Sequence, residues 1–132
     1  MTVRTTVEEL LSRMASGDAD TTAELFAEEV YSMCAGSEEM PWMRPRRTRE
    51  DMVDFFAAMN ASFGPEDRSA LLSALLVDGK DVVATGHVSR RLKSNGEAFT
   101  IPFALRLTVS DGLSTRYHVY EDSLTVAQAV TP

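Results

Sequence analysis

The chain has 132 residues, of which 44% are apolar and 25% charged, the profile of one globular domain long enough to bury its own core. A net charge of −7 excludes a surface that tracks phosphates on nucleic acid or an anionic membrane, since that needs clustered Lys and Arg. The single cysteine, Cys34, excludes an internal disulfide, two histidines give no metal-ligand spacing, and no apolar run reaches the ~18 residues of a membrane span. Residues 1–132 are therefore expected to form a single metal- and cofactor-free domain. Without a signal-peptide core at the N-terminus, a cytoplasmic location is expected.

Helices come first. Thr6 to Glu9 has the pattern of a capping box, and Val7, Leu10, Leu11 and Met14 follow at the spacing of one helix face, with Gly17 as the stop. Asp20 or Thr21 is expected to cap a second, short helix carrying Leu25 and Phe26 inward, and Val30 to Met33 reads as a strand. From Ala35 to Arg47 the chain is a loop broken by Gly36, Pro41 and Pro45, with Met40, Trp42 and Met43 making it apolar. Its arginines, Arg44, Arg46, Arg47 and Arg49, are flanked by Glu38, Glu39, Glu50 and Asp51 and read as a solvated, internally compensated cluster. Thr48 and Asp51 open a third helix whose Met52, Phe55, Phe56 and Met59 point one way, and Gly64-Pro65 closes it.

Strands follow. Runs 70–77, 81–93, 99–109 and 113–125 are separated by Asp78-Gly79-Lys80, Ser94-Asn95-Gly96 and Ser110-Asp111-Gly112, the punctuation of an antiparallel meander. In the third run Ile101, Phe103, Leu105, Leu107 and Val109 share one face, and Ala104, Arg106 and Thr108 share the other. The expected fold is α+β: three N-terminal helices packed on a curved, mainly antiparallel sheet, with a cone-shaped cavity the helices leave open. The mixed outer face, with Ala104, Arg106 and Thr108, predicts a homodimer.

In the last run His118, Tyr120 and Asp122 alternate onto one face. Placed inside the cone, they would form an acid–base pocket, because buried polar groups are costly unless paired or used. Asp122 is the expected base and then acid, its pKa raised by burial, with His118 as proton partner, or His87 if that strand turns it inward. Tyr31 and Tyr120 are either core aromatics or donors to an enolate oxygen. Trp42 is expected at the mouth, and Met33, Phe56, Phe103 and Leu105 along the wall of an apolar site.

The stretches Leu10 to Tyr31, Pro41-Trp42, Thr48 to Phe56 and Asp111 to Asp122 resemble the SnoaL-like polyketide cyclase and ketosteroid-isomerase-like group of the nuclear-transport-factor-two superfamily. The resemblance covers nearly the whole chain and implies a cystatin-like cone and an acid–base enzyme without cofactor, acting on a bulky, apolar, carbonyl-bearing small molecule. It sets the isomerases' two aspartate positions near Met33 and Leu105, both apolar here, and leaves Asp122 as a cyclase-like acid/base. Epoxide-hydrolase-like proteins of the superfamily imply a second reading. Tyr31 falls on their water-positioning tyrosine, but Met33 replaces the nearby asparagine and the stretch His87 to Arg91 lacks their carboxylate. A third reading is a non-catalytic ligand-binding or dimerisation module.

Overall fold

In a computed structural model, which describes residues 2–36, 40 and 43–130, the chain folds as helices α1 (Val3–Ser16) and α2 (Ala19–Ala23), strands β1 (Phe26–Cys34) and β2 (Arg46–Thr48), and helix α3 (Arg49–Ser62). A 3₁₀ turn (Pro65–Asp67) leads into β3 (Ser69–Asp78), β4 (Asp81–Arg91), β5 (Ala98–Ser110) and β6 (Leu113–Glu121), and α4 (Ser123–Val130) ends the described chain. The six strands form one curved sheet in the order β2-β1-β6-β5-β4-β3. Every neighbouring pair is antiparallel except β1 and β6, which run parallel. This is the expected α+β cone, with a fourth helix where the sequence suggested continued strand and tail.

Local chemistry sets the element ends. Thr2, not Thr6, caps α1, its hydroxyl accepting from the Thr5 N–H, and Gly17 ends the helix in the left-handed conformation (φ 81°) that glycine tolerates best. Asp18, two residues earlier than expected, caps α2. At α3 the predicted capping box is complete: Thr48 accepts from the Asp51 N–H, and the Asp51 carboxylate accepts from the Thr48 N–H. The arginine cluster is less solvated than its composition suggested. Arg46 is buried in β2, and Arg49 donates from Nε to the Phe26 carbonyl at 2.7 Å.

The concave face of the sheet and the helices share one core. It includes Val7 and Leu10 from α1, Phe26 and Val30 from β1, Met52, Phe55, Phe56 and Met59 from α3, and Val82, Ala84, Ile101, Leu105 and Leu107 from the meander. Val126 brings α4 into it, fully buried, and Asn95 tethers that helix by donating to the Ala129 carbonyl. Edge strand β3 bulges between Leu72 and Ala74, and beside that bulge the Leu71 carbonyl lies over Gly86 of β4, where a Cβ would overlap it.

Candidate functional site

The phase of β6 decides what faces the cone. Pairing with β5 places Tyr117 opposite Leu107, Val119 opposite Leu105 and Glu121 opposite Phe103, so these three point to the concave side. Arg116, His118 and Tyr120 pair with Thr108, Arg106 and Ala104 on the convex side. Parallel pairing carries the same alternation into β1: Cys34 lies beside Val119 and lines the cavity, while Tyr31 and Met33 lie beside Arg116 and His118.

Between sheet and helices is a cavity of about 530 Å³. Its apolar wall includes Leu11, Met14, Phe55, Phe56, Met59, Val88, Phe103, Leu105 and Val119. Tyr117 joins this wall to an aromatic cluster, with ring centroids 5.6 Å from Phe26 and 5.7 Å from Phe55. Among the described residues its phenol reaches only the Met14 sulfur, at 3.8 Å, and burial pushes its pKa up.

The polar end follows from strand direction. Strands β4 and β6 each run antiparallel to β5, so their C-terminal ends coincide, and the start of β3 joins them. There Arg90 donates from Nη1 to the Glu121 Oε2 at 3.0 Å, with the two side chains 11% and 3% exposed. The Arg90 guanidinium also lies over the Phe63 ring, 5.5 Å from its centroid. Nearby, Arg68 donates to the Asn60 Oδ1 at 2.8 Å, and Asn60 donates to the Gly17 carbonyl at 2.6 Å. Arg68, Arg90, Asn60 and Glu121 all line the cavity. A buried ion pair contributes little net stability, because desolvation offsets its attraction. An ion pair opening onto an apolar cavity therefore suits chemistry better than it suits folding.

Cys34 lines the same end. Burial first, then the Glu121 charge, push its thiol up to about 12, so it is a neutral wall group. Among the described residues no group of three His, Cys, Asp or Glu side chains is placed to hold a metal ion. No helix among them is long and apolar enough to cross a membrane.

Several expected site residues lie elsewhere. Asp122 is exposed at the N-cap of α4, where both carboxylate oxygens accept from Thr125. Those hydrogen bonds hold its pKa below the usual carboxylate value, the reverse of the expected rise. His118 is buried, but under the convex surface, its ring 4.4 Å from that of Tyr31 and 6.4 Å from that of Tyr120. Burial, then the charges of Arg116 and Arg106, lower its pKa. Tyr31 is 58% and Tyr120 44% exposed. His87, opposite Pro102, is exposed on the same outer side. Met33 does not line the cavity, whereas Phe56, Phe103 and Leu105 do. Trp42 lies outside the described residues. Of the expected polar residues, Tyr31, His118 and Tyr120 are thus brought together, but on the convex side of the sheet.

The alternation reading missed Glu121, Arg90, Arg68, Asn60 and Tyr117. One signal for them was present in β6 itself. The face that holds His118, Tyr120 and Asp122 also holds Arg116, so burying it would bury an arginine as well. The alternative set, with Val119 and Tyr117, is the more apolar.

The same architecture recurs in solved structures. An NTF2-like protein of unknown function from Burkholderia pseudomallei superposes with a TM-score of 0.88 at 14% identity, covering 100% of both chains. A candidate SnoaL-like polyketide cyclase from Jannaschia sp. gives 0.77 at 18% identity over 96% of this chain and 92% of its own. A protein with a ketosteroid-isomerase-like fold from Catenulispora acidiphila gives 0.74 at 18%, over 94% of each. At such identities the likeness is one of fold. Among curated proteins no sequence matches the chain. The family model described as the SnoaL-like domain matches residues 7–117, from within α1 to Tyr117 in β6, so α4 and the cavity-lining Val119 and Glu121 lie beyond the match. The chain belongs to the SnoaL-like domain family.

Proposed function

We propose that this protein is a cofactor-independent acid–base enzyme that moves a proton on an apolar carbonyl compound, with Glu121 in the role the sequence suggested for Asp122. The observation that carries this reading is the Arg90–Glu121 pair, buried yet open to a cavity of about 530 Å³. That volume lies within the range that encloses most of a drug-sized molecule. One oxygen of Glu121 accepts from Arg90, and among the described residues the carboxylate has no other hydrogen-bond partner. Its second oxygen is therefore available to take a proton from the carbon next to a substrate carbonyl. The electron pair of that C–H bond moves into the carbonyl to give an enolate, whose oxygen is stabilised by the remaining N–H groups of Arg90. Glu121 then returns the proton, to a different carbon in an isomerisation, or to the alkoxide formed when the enolate closes on a second carbonyl.

Epoxide opening is not favoured, because Tyr31 is exposed on the convex face and the stretch from His87 to Arg91 brings Arg90 but no second carboxylate to the cavity. The test is exchange of solvent deuterium into 2-tetralone and 1-indanone, followed by NMR. Glu121→Gln should slow enzyme-dependent exchange by roughly 10²–10⁴-fold, and Asp122→Asn should leave it near wild type. Exchange that survives Glu121→Gln, or is lost in Asp122→Asn, overturns the assignment. Binding of both ketones without exchange supports the non-catalytic module instead.

A further inference from the structure

The second arginine of the cavity is unused by that chemistry. Arg68, half-buried ahead of β3, gives one N–H to Asn60 and forms no ion pair among the described residues. Asn60 is itself anchored to the Gly17 carbonyl, so α1 and α3 together hold the guanidinium at the cavity wall. Its neighbour Arg90 is a like charge, already neutralised by Glu121. The remaining ionisable groups that line the cavity do not balance Arg68. Cys34 and Tyr117 are held neutral by burial, while Glu8 and Asp18 are exposed, with Asp18 committed to capping α2. Glu66, the one carboxylate whose charge acts on Arg68, is exposed and makes no ion pair with it. The polar end of the cavity therefore carries one uncompensated positive charge beside an aromatic and aliphatic wall. A guanidinium taken partly out of water costs free energy unless an anion answers it, and its planar fork matches the two oxygens of a carboxylate.

We infer that the ligand of this cavity is an apolar organic acid, its aromatic or alicyclic body against the Phe and Leu wall and its carboxylate on Arg68. This rests on the reading of the cavity as the binding site, but not on proton transfer by Glu121. Arg68 is then the specificity residue that separates acids from their neutral counterparts, while Asn60 positions it.

The test uses the isosteric pair 2-naphthoate and 2-naphthamide, titrated calorimetrically against the whole protein. Wild type should bind the acid roughly ten- to a hundredfold more tightly than the amide, the span of one charge-assisted contact. Arg68→Gln should abolish that preference while leaving amide affinity within about twofold, and Asn60→Ala should reduce it partially. Arg116→Gln, on the convex face, should leave both affinities unchanged. Equal affinity of wild type for the two compounds would overturn the inference without any variant needing to fold. So would a preference that survives Arg68→Gln or disappears in Arg116→Gln. Because the readout is binding, it stands or fails separately from the deuterium exchange that tests Glu121.

Discussion

The two faces of β6 present similar residue types to different surroundings. Inside, Tyr117 and Glu121 meet an aromatic cluster and a buried arginine. Outside, Tyr120 is substantially exposed, His118 lies under Tyr31, and Asp122, just past the strand, caps a helix in solvent. Acid–base potential therefore belongs less to the residue type than to the sheet phase that sets its dielectric and its partner. A carboxylate at 121 is part of a cavity. One residue further on, the same group is a cap.

The largest stability contrast should come from the neighbours Glu121 and Asp122. Glu121→Ala strands the Arg90 charge in the interior and should cost about 3–5 kcal/mol, measured as a lowered denaturant midpoint. Asp122→Ala removes only an exposed cap and should move the midpoint far less. Replacing the whole pair, Arg90→Met with Glu121→Met, should recover most of the stability and none of the deuterium exchange. A single Glu121→Ala variant as stable as wild type would dissolve the contrast.

A second contrast uses β1. With its thiol held near a pKa of about 12, Cys34 should be on the order of one part in ten thousand ionised at pH 8. Iodoacetamide should therefore modify it orders of magnitude more slowly than a free thiol, and 2-naphthoate in the cavity should slow it further. Cysteine placed at the neighbouring outward position, Met33→Cys in a Cys34→Ala background, should react faster. Equal rates at 33 and 34 would contradict the alternation.

His118 provides a smaller effect, which depends on pH. Its folded-state pKa lies below the ordinary value of 6.5, so the unfolded chain takes up the proton first. This group should lower stability as pH falls through 6.5 and cease to do so below its folded pKa, giving a Tm slope that His118→Gln flattens. An unchanged slope in the variant would place the imidazole in water. Smallest of all, Tyr120→Ala should stay within about 0.5 kcal/mol of wild type, as expected of an exposed ring.

Much of the fold was legible because its signals are local. The Thr48–Asp51 capping box, the Gly17 stop, the three turns and the alternation of Ile101, Phe103, Leu105, Leu107 and Val109 each need only a few consecutive residues. The turn at Asp111-Gly112 has positive φ at both positions (53° and 75°), the geometry a two-residue hairpin favours. Helix α4 was not legible: eight residues, Ser123–Val130, carry too little periodicity to separate a helix from the end of a strand. The site was legible only in its apolar part. Phe56, Phe103 and Leu105 follow from periodicity, whereas Arg68, Arg90 and Glu121 come from three elements that meet only through sheet register. No spacing in the sequence encodes that meeting.

The bulge of β3 over Gly86 bears on how far this protein can vary. Ala70 and Leu72, on either side of Leu71, belong to the cavity wall, and the Leu71 carbonyl rests where any side chain on residue 86 would begin. A methyl group there would lift the edge strand and carry the wall with it, widening the chamber and displacing Arg68 at the strand's start. The dimensions of the chamber are thus set partly by a single hydrogen atom on the Gly86 α-carbon. A saturation library at that position should return glycine alone, even though the residue does not line the cavity.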